Sequence, residues 1–111
     1  MDTLARYGNE ICKILSKYAS IPYLNAQINS FVIVSEDRQH FLLMNEGWDG
    51  KKRIHHCLIH VQVIEDKIWI HFDGTEDGIA EELVAAGILK EQIVLAFHPA
   101  YVRQHTGYAM A

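Results

Sequence analysis

The sequence is poor in proline and cysteine, has no long apolar run and carries little positive charge. Only two prolines and two cysteines occur in 111 residues, which excludes a proline-rich linker and a disulfide-stapled scaffold. Cys12 and Cys57 lack metal-ligand spacing, so we expect two reduced, largely buried thiols. No apolar run reaches the roughly 18 residues of a membrane span, and the first residues lack the apolar segment of a signal peptide. These absences predict a cytoplasmic protein that does not associate with membranes.

The shortage of positive charge also limits the binding partners. Lysine and arginine number 10 against 14 acidic residues, which gives a net charge of −4. A protein that binds DNA on its own usually presents a basic face, because neutralising phosphates supplies most of the affinity. The basic cluster Lys51-Lys52-Arg53 lies in a predicted turn, where three charges are typical of a solvated loop. We therefore expect no strong direct binding to nucleic acid, and any DNA contact to come through a partner.

The apolar residues are arranged as one helix followed by strands within a single domain, residues 1–111. They recur at helical spacing from Asp2 to about Ala19, and Pro22 follows the end of this helix. Alternating and β-branched segments then predict four strands, at Ile28–Val34, His40–Asn45, Lys52–Ile64 and Lys67–Phe72. Short turns, and a loop at Gly47–Gly50, join the strands into an antiparallel meander.

The remaining third of the chain returns to helical spacing. A second helix is predicted from about Glu76 to Ala86, with Gly87 ending it in a left-handed cap. Ile93–Phe97 is a short apolar run whose length leaves both a strand and a buried turn open. Pro99 begins a C-terminal tail. This order predicts an α+β fold: a four-stranded antiparallel sheet with its helices mainly on one face.

Glu65 and Asp66 are expected to close a hairpin between the third and fourth strands. A two-residue loop there aligns facing residues: Val63 with Ile68, Gln62 with Trp69, Val61 with Ile70, His60 with His71 and Ile59 with Phe72. Leu58 then shares the face of His60. Neither turn residue is of the Asn-Gly type that favours a tight hairpin, so a register shifted by one residue is the alternative.

Seven histidines are many for this length, and two of them suggest an alternative function. His60 and His71, with Asp73 two residues further on, could supply three ligands to zinc or another first-row metal. The alternative is therefore a small metal-binding protein or enzyme that uses His60, His71 and Asp73. The neighbouring Leu58 and Trp69 favour a covered sheet face instead, so we expect no metal and no cofactor.

The segment Asp73–Gly78 is an acidic turn between a strand and a helix. Thr75 is expected to cap the helix, with Glu76 and Asp77 in its first turn, where the helix dipole favours negative charge. The spacing resembles the start of a calcium-binding loop, but the twelfth position is Val84 instead of glutamate. No serine or cysteine has the local sequence of a catalytic nucleophile, so we predict a protein that is not an enzyme.

Four segments, in this order, carry a resemblance to a known family: Asn45–Asp49, His71–Ala80, Ile93–Pro99 and Arg103–Ala109. Together the segments resemble the XisI family, small cyanobacterial proteins named as excision controlling factors of the fdxN DNA element. The resemblance extends from the first residues to the last. It implies an accessory role in programmed DNA excision, together with XisH, a companion protein that is similar to a restriction-type nuclease.

If a partner protein cleaves the DNA, this chain is expected to contribute residues that bind that partner. The acidic candidates could complement a basic DNA-cleaving partner and hold it off DNA: Asp49, Asp73, Glu76 and Asp77. Other candidates are residue types that anchor interfaces: Trp48, Tyr101, Arg103 and Tyr108. The histidine-bearing sheet face adds His60, Trp69 and His71.

The sheet face turned away from the helices also predicts self-association. It should expose Leu58, Ile64 and Trp69, and large apolar patches are uncommon on soluble monomers. A homodimer or a larger assembly is therefore expected, with twofold pairing the commonest solution. The aromatic tail from Tyr101 to Met110 either docks on its own domain or reaches a neighbouring chain.

Overall fold

The chain folds as a long helix laid across one face of a β-sheet. The structure is a computed structural model that describes residues 3–111, so the predicted helix start at Asp2 lies outside the described residues. The helices are α1 (Thr3–Ala19), α2 (Ala80–Ala85) and α3 (Ala100–Arg103), and a 3-10 turn spans Lys90–Gln92. The strands are β1 (Gln27–Val34), β2 (His40–Asp49), β3 (Lys52–Ile64), β4 (Lys67–Asp73) and β5 (Ile93–Leu95). This arrangement confirms the α+β fold class.

The strands lie in the order β1-β2-β3-β4-β5. The first four pair antiparallel through hairpins, as predicted. The fifth strand, β5, pairs in parallel with β4, so the sheet has five strands instead of four and the run Ile93–Phe97 begins as a strand. Strand β2 also continues past Asn45 to Asp49, where a loop was predicted, because Asp49 still pairs with Lys52.

The core forms where the apolar stripe of α1 meets the sheet. Tyr7, Ile11 and Leu15 recur at helical spacing and are at most 1% exposed. They pack on alternate residues of the central strands: Phe41, Leu43, Ile59, Val61, Val63, Ile68 and Ile70. Full burial of one such side chain stabilises the fold by about 1.5–3 kcal/mol. Helix α1 therefore fixes which sheet face is internal.

A β-bulge in β4 changes part of the predicted hairpin register. Gln62 faces Trp69 and Val61 faces Ile70, as predicted. Beyond them His71 is an extra residue on β4, so Phe72 lies opposite His60. The predicted pairs Ile59–Phe72 and His60–His71 are therefore wrong. A bulge adds one residue to one strand, and sequence alternation alone does not reveal it.

A second bulge, in β3, reverses one predicted side-chain direction. Leu43 pairs with Ile59 and Met44 with Cys57, which leaves Leu58 as the extra residue. The Leu58 side chain packs against the core on the helix side. The prediction that Leu58 shares the face of His60 and Trp69 is therefore wrong.

The acidic turn after β4 is organised by Asp73. Its carboxylate accepts hydrogen bonds from the backbone N–H of Thr75 at 2.9 Å and of Ile79 at 2.7 Å. Helix α2 begins only at Ala80, and Thr75 Oγ1 accepts from the Gly78 N–H at 3.1 Å. The predictions that Thr75 caps the helix and that Glu76 and Asp77 lie in its first turn are wrong. Asp73 instead organises the turn ahead of the helix, because its two oxygens reach both ends of the turn. Among residues 3–111, no side-chain hydrogen bond caps α2 itself.

The C-terminal tail docks on its own chain. The Ala109 N–H donates to the Ile93 carbonyl at 2.8 Å, and Lys67 bonds the Ala111 carbonyl. The Arg103 guanidinium lies 5.8 Å from the Trp69 ring centroid. Of the two placements that the sequence left open, the structure shows the first.

Neither cysteine is bonded to the other, and both thiols are partly buried. Burial raises the pKa of Cys57, which keeps that thiol protonated and unreactive. Within residues 3–111, no helix is both long and apolar enough to cross a membrane.

Candidate partner interface

The predicted contact residues fall into two separate regions of the molecule. The first, which we call the hairpin end, extends from the hairpin tip 48–53 past the loop 20–26 to the loop 74–78, which lies beside Leu58 further along β3. Gln27 pairs with Trp48, which joins the first two segments. The Gly74 N–H donates to the Leu58 carbonyl at 2.8 Å, which joins the third to β3.

Loop 20–26 exposes large apolar side chains at the hairpin end. Leu24 is 85% exposed and Ile21 is 54% exposed. A cavity of about 400 Å³ opens between the loop and β3; its lining consists of Tyr18, Ile21, Pro22, Tyr23, Leu24 and Leu58. Apolar concave surface of this kind is typical of binding sites.

Buried hydrogen bonds hold this loop in place. The side chain of Asn45 is 2% exposed, and its amide donates to the Tyr23 hydroxyl at 2.8 Å. Ser30 Oγ donates to the side-chain oxygen Oδ1 of Asn45 at 2.6 Å. Because a buried amide is costly to leave unpaired, Asn45 fixes the apolar loop relative to β1 and β2.

Trp48 at the hairpin tip lies beside a positively charged side chain. It is 48% exposed, and the Arg53 guanidinium lies 5.4 Å from its ring centroid. Glu46 accepts hydrogen bonds from Asn29 and from Arg53, both at 3.0 Å, and these bonds lower the pKa of the Glu46 carboxyl. One of the three basic residues of the predicted turn is therefore already paired.

Exposed acids border this apolar surface. Asp49, Glu76 and Asp77 are all exposed to solvent. Asp73 is different, because its carboxylate is used by the turn that presents Glu76 and Asp77. The structure thus places Trp48 and Asp49 at the hairpin tip and Glu76 and Asp77 after β4, further along β3. It gives Asp73 a supporting role.

The second region is a row of imidazoles on the sheet face opposite α1, which we call the histidine face. His40 Nδ1 and His60 Nε2 are 3.0 Å apart, and the His60 and His71 ring centroids are 4.9 Å apart. Gln62 Oε1 lies 2.8 Å from His71 Nε2. Burial lowers the pKa of His60 and of His71, and nearby imidazoles lower both further. These two rings therefore favour the neutral state.

The proposed ligand set His60, His71 and Asp73 is not brought together. The Asp73 carboxylate is engaged by the turn before α2, whereas both rings lie on the histidine face. Across residues 3–111 there is no group of three or more His, Cys, Asp or Glu side chains placed to share a metal ion. His40, which the sequence reasoning missed, joins the row because β2 pairs His40 with Gln62.

Of the predicted contact residues in the C-terminal tail, one is exposed and two have structural roles. Tyr101 is 73% exposed and remains available for contact. Arg103 stacks on Trp69, and its Nε donates to the His98 carbonyl at 2.9 Å. Tyr108 packs against the core, where burial raises its pKa. Arg103 and Tyr108 therefore hold the tail in place.

The sequence reasoning missed the apolar loop itself. Ile21, Tyr23 and Leu24 lie between a helix and a strand, in a segment interpreted only as the end of α1. Three large apolar residues in a proline-containing loop were the available signal, because such loops are normally polar.

The fold and these two surfaces define a class: a small α+β protein with a meander sheet, a helix layer on one face, and an apolar end bordered by acids. Comparison with known proteins narrows the class. The family model described as XisI protein matches residues 1–110. The chain belongs to the XisI family.

Two solved structures have the same fold. The crystal structure of a XisI-like protein from Anabaena variabilis ATCC 29413 is 37% identical with a TM-score of 0.87, over 97% of this chain and 99% of that one. The crystal structure of fdxN element excision controlling factor XisI from the same strain is 36% identical with a TM-score of 0.82, over 99% and 100%. No curated protein matches the chain.

Proposed function

We propose that this protein is a non-enzymatic controlling factor for programmed excision of a DNA element, and that it acts in the cytoplasm through a nuclease-like XisH partner. Membership of the XisI family and the name of the solved relative support a role in excision control. In this proposal the partner cleaves DNA, and this chain binds the partner without using a cofactor.

The hairpin end is the observation that carries the proposal. Leu24, Ile21 and Trp48 are each about half exposed or more. Asn45 ties the loop that carries Leu24 and Ile21 to β2. An apolar centre with a charged rim is the usual anatomy of a protein interface. Leu24, at 85% exposed, has the most apolar area to lose to a partner.

The exposed acids of the hairpin end, which we call the acidic rim, would orient a partner on this surface. Asp49, Glu76 and Asp77 are exposed in a protein of net charge −4. A nuclease that binds DNA carries a basic surface, and opposite charges speed association and fix orientation. If these acids bind that basic surface, they compete with DNA for it. A protein that has no catalytic activity of its own can control a nuclease in this way.

Capture of the partner tests the apolar contact. We expect tagged full-length chain to capture a XisH-like protein, and Leu24→Ser to weaken the affinity by about tenfold or more. Leu89→Ser is the matched control, because Leu89 is 58% exposed and lies outside the hairpin end. No capture by the unchanged chain, or equal loss in both variants, would contradict the proposal.

Charge reversal tests the acidic rim. Asp77→Lys should weaken capture most at low salt, because screening removes the attraction at high salt. Glu36→Lys changes the same charge in the exposed β1–β2 turn and should leave capture unchanged. The same salt dependence in both variants would show that these acids do not face the partner.

A further inference from the structure

We infer that the free edge of β1, together with the adjacent flank of α1, is the surface through which two copies of this chain form a twofold dimer. The inference goes beyond the proposed partner contact, which uses the hairpin end. It is carried by the juxtaposition of an unpaired, uncharged edge strand with an uncharged helix flank.

Strand β1 is an edge strand with no protective feature. In the described part of the chain it pairs only with β2, from Gln27–Trp48 to Val34–Phe41 without a break in register. Its eight residues contain no charge and no proline. Sheet edges normally carry charges, prolines or bulges that prevent pairing with another strand. An edge that lacks all three is chemically suited to an added strand.

The other sheet edge is treated differently. Strand β5 has only three residues, and Val94 forms a bridge with Ala109 of the tail. Val94 is 0% exposed as a result. Within residues 3–111, the chain therefore covers one edge with its own tail and leaves the β1 edge uncovered.

One flank of α1 continues the uncharged surface beside β1. Lys17 pairs with Glu82 and Arg6 Nη2 donates to the Gly87 carbonyl, so these side chains point toward α2. Helical geometry places the opposite flank away from α2, and its members are Ala5, Asn9, Cys12 and Ser16. Because α1 packs on β1 and β2, this flank of small neutral side chains faces the free edge, and Arg38 of the β1–β2 turn borders it.

A second copy fits this surface better than a charged protein does. The unpaired peptide groups of β1 can hydrogen-bond to another strand. Two copies that each have a net charge of −4 repel each other least where their uncharged surfaces meet. The neutral strand and helix flank are each about 26 Å long and about 10 Å apart. They give an interface of roughly 1,000 Å² in total, which reaches the size of a specific contact.

Symmetry limits the register to one that is centred on a residue. A twofold axis perpendicular to the sheet keeps both helix layers on one side, and facing residues must then share a sheet face. Centring on Phe31 satisfies this rule and pairs residues 28–34 of the two copies. Phe31 is 39% exposed and then lies beside its own copy, where aromatic pairs stabilise a sheet.

Sedimentation of the isolated full chain tests the dimer without any partner, so its outcome is independent of the proposed function. We expect a dimer at tens of micromolar. Phe31→Lys should weaken it by about 100-fold or more, because two phenyl groups are lost and two like charges face each other. Phe72→Lys is the matched control, since Phe72 is 50% exposed on β4. A monomeric unchanged chain, or equal loss in both variants, would overturn the inference.

Charge pairing tests the register. Mixing Phe31→Lys with Phe31→Glu should restore a dimer, because only the register centred on Phe31 places the two side chains opposite each other. Hydrogen exchange of the unchanged chain gives a reading that needs no variant. Protection of β1 amides should rise with protein concentration, and protection that is independent of concentration would refute the β1 contact.

Discussion

Two partly buried imidazole rings make the stability of the fold depend on pH. Burial first, and neighbouring imidazoles second, lower the pKa of His60 below its ordinary value of 6.5. Burial and the nearby His40 do the same for His71. The unfolded chain therefore binds more protons than the folded chain as the pH falls through about 6.5, and the free energy of unfolding decreases.

We therefore expect urea unfolding to become easier between about pH 7.5 and about pH 5.5. His60→Gln should reduce this pH dependence, because it removes one group whose pKa the fold lowers. His105→Gln, at an exposed position in the tail, serves as the control and should retain it. A pH dependence in His60→Gln equal to that of the unchanged chain would contradict this account.

The acidic turn shows what a local sequence can and cannot reveal about single side chains. The sequence correctly indicates a strand, a turn and then a helix, and it places exposed acids at Glu76 and Asp77. It misassigns Thr75 as a helix cap, because Thr75 and Asp73 are both residue types that cap helices, and here both side chains bond within the turn before α2.

Strand β1 owes its position on the sheet to one glycine of β2. Gly47 has φ of +152°, and a Cβ atom added there would lie 1.9 Å from the carbonyl oxygen of Gln27. No rotation of a side chain relieves this contact, because the obstacle is backbone. The close approach of the two strands at the hairpin end therefore requires glycine at position 47.

We expect Gly47→Ala to lower the free energy of unfolding by about 3 kcal/mol and to loosen the start of β1. Gly50→Ala is the comparison, because Gly50 has φ of +61° but nothing within 4 Å of an added Cβ. It should lower stability by only about 1 kcal/mol. Equal losses in urea unfolding would mean that backbone strain, and not contact with β1, sets both values.

Periodicity predicts the elements well where packing follows a regular pattern. The spacing of Tyr7, Ile11 and Leu15 identifies α1, and alternation identifies the four strands of the meander. It fails at Leu58 and His71, where a bulge shifts the alternation by one residue. Periodicity also does not decide whether β5 is a strand or a buried turn. The parallel pairing of β5 with β4 is a long-range contact, and three residues are too few to predict it.

The sequence predicts part of the candidate interface and does not predict the rest. Trp48 and Asp49 are predicted contacts, and the structure places them at the hairpin tip, whereas Glu76 and Asp77 follow β4, whose last residue pairs with Ile59 further along β3. Whether they touch a partner stays a prediction. The sequence does not reveal that the apolar loop 20–26 is exposed, because its exposure depends on how the chain passes from α1 into β1.

The charge of the complete molecule argues against autonomous DNA binding. The net charge is −4, and within the basic cluster Arg53 is paired with Glu46 and stacked on Trp48. Lys51 and Lys52 remain at the hairpin tip, beside Asp49. Two exposed lysines release few counterions, so they provide little affinity.

We expect the isolated chain to give no gel shift with duplex DNA at physiological salt and micromolar protein. Replacing Lys51 and Lys52 by glutamine should change nothing, because the tip is not a DNA contact in this account. Salt-sensitive, sub-micromolar binding that the double replacement abolishes would contradict it.

The parallel pairing of β5 with β4 has a consequence for the order of folding. Hairpins join β1 through β4, so these strands pair with neighbours in sequence and can assemble quickly. Strand β5 reaches β4 across residues 74–92, which adds loop-closure entropy before any contact forms. We expect the meander to assemble first and β5 and the tail to dock last. Until then a newly synthesised chain has two open sheet edges instead of one, and β4 is where it is most exposed to mispairing.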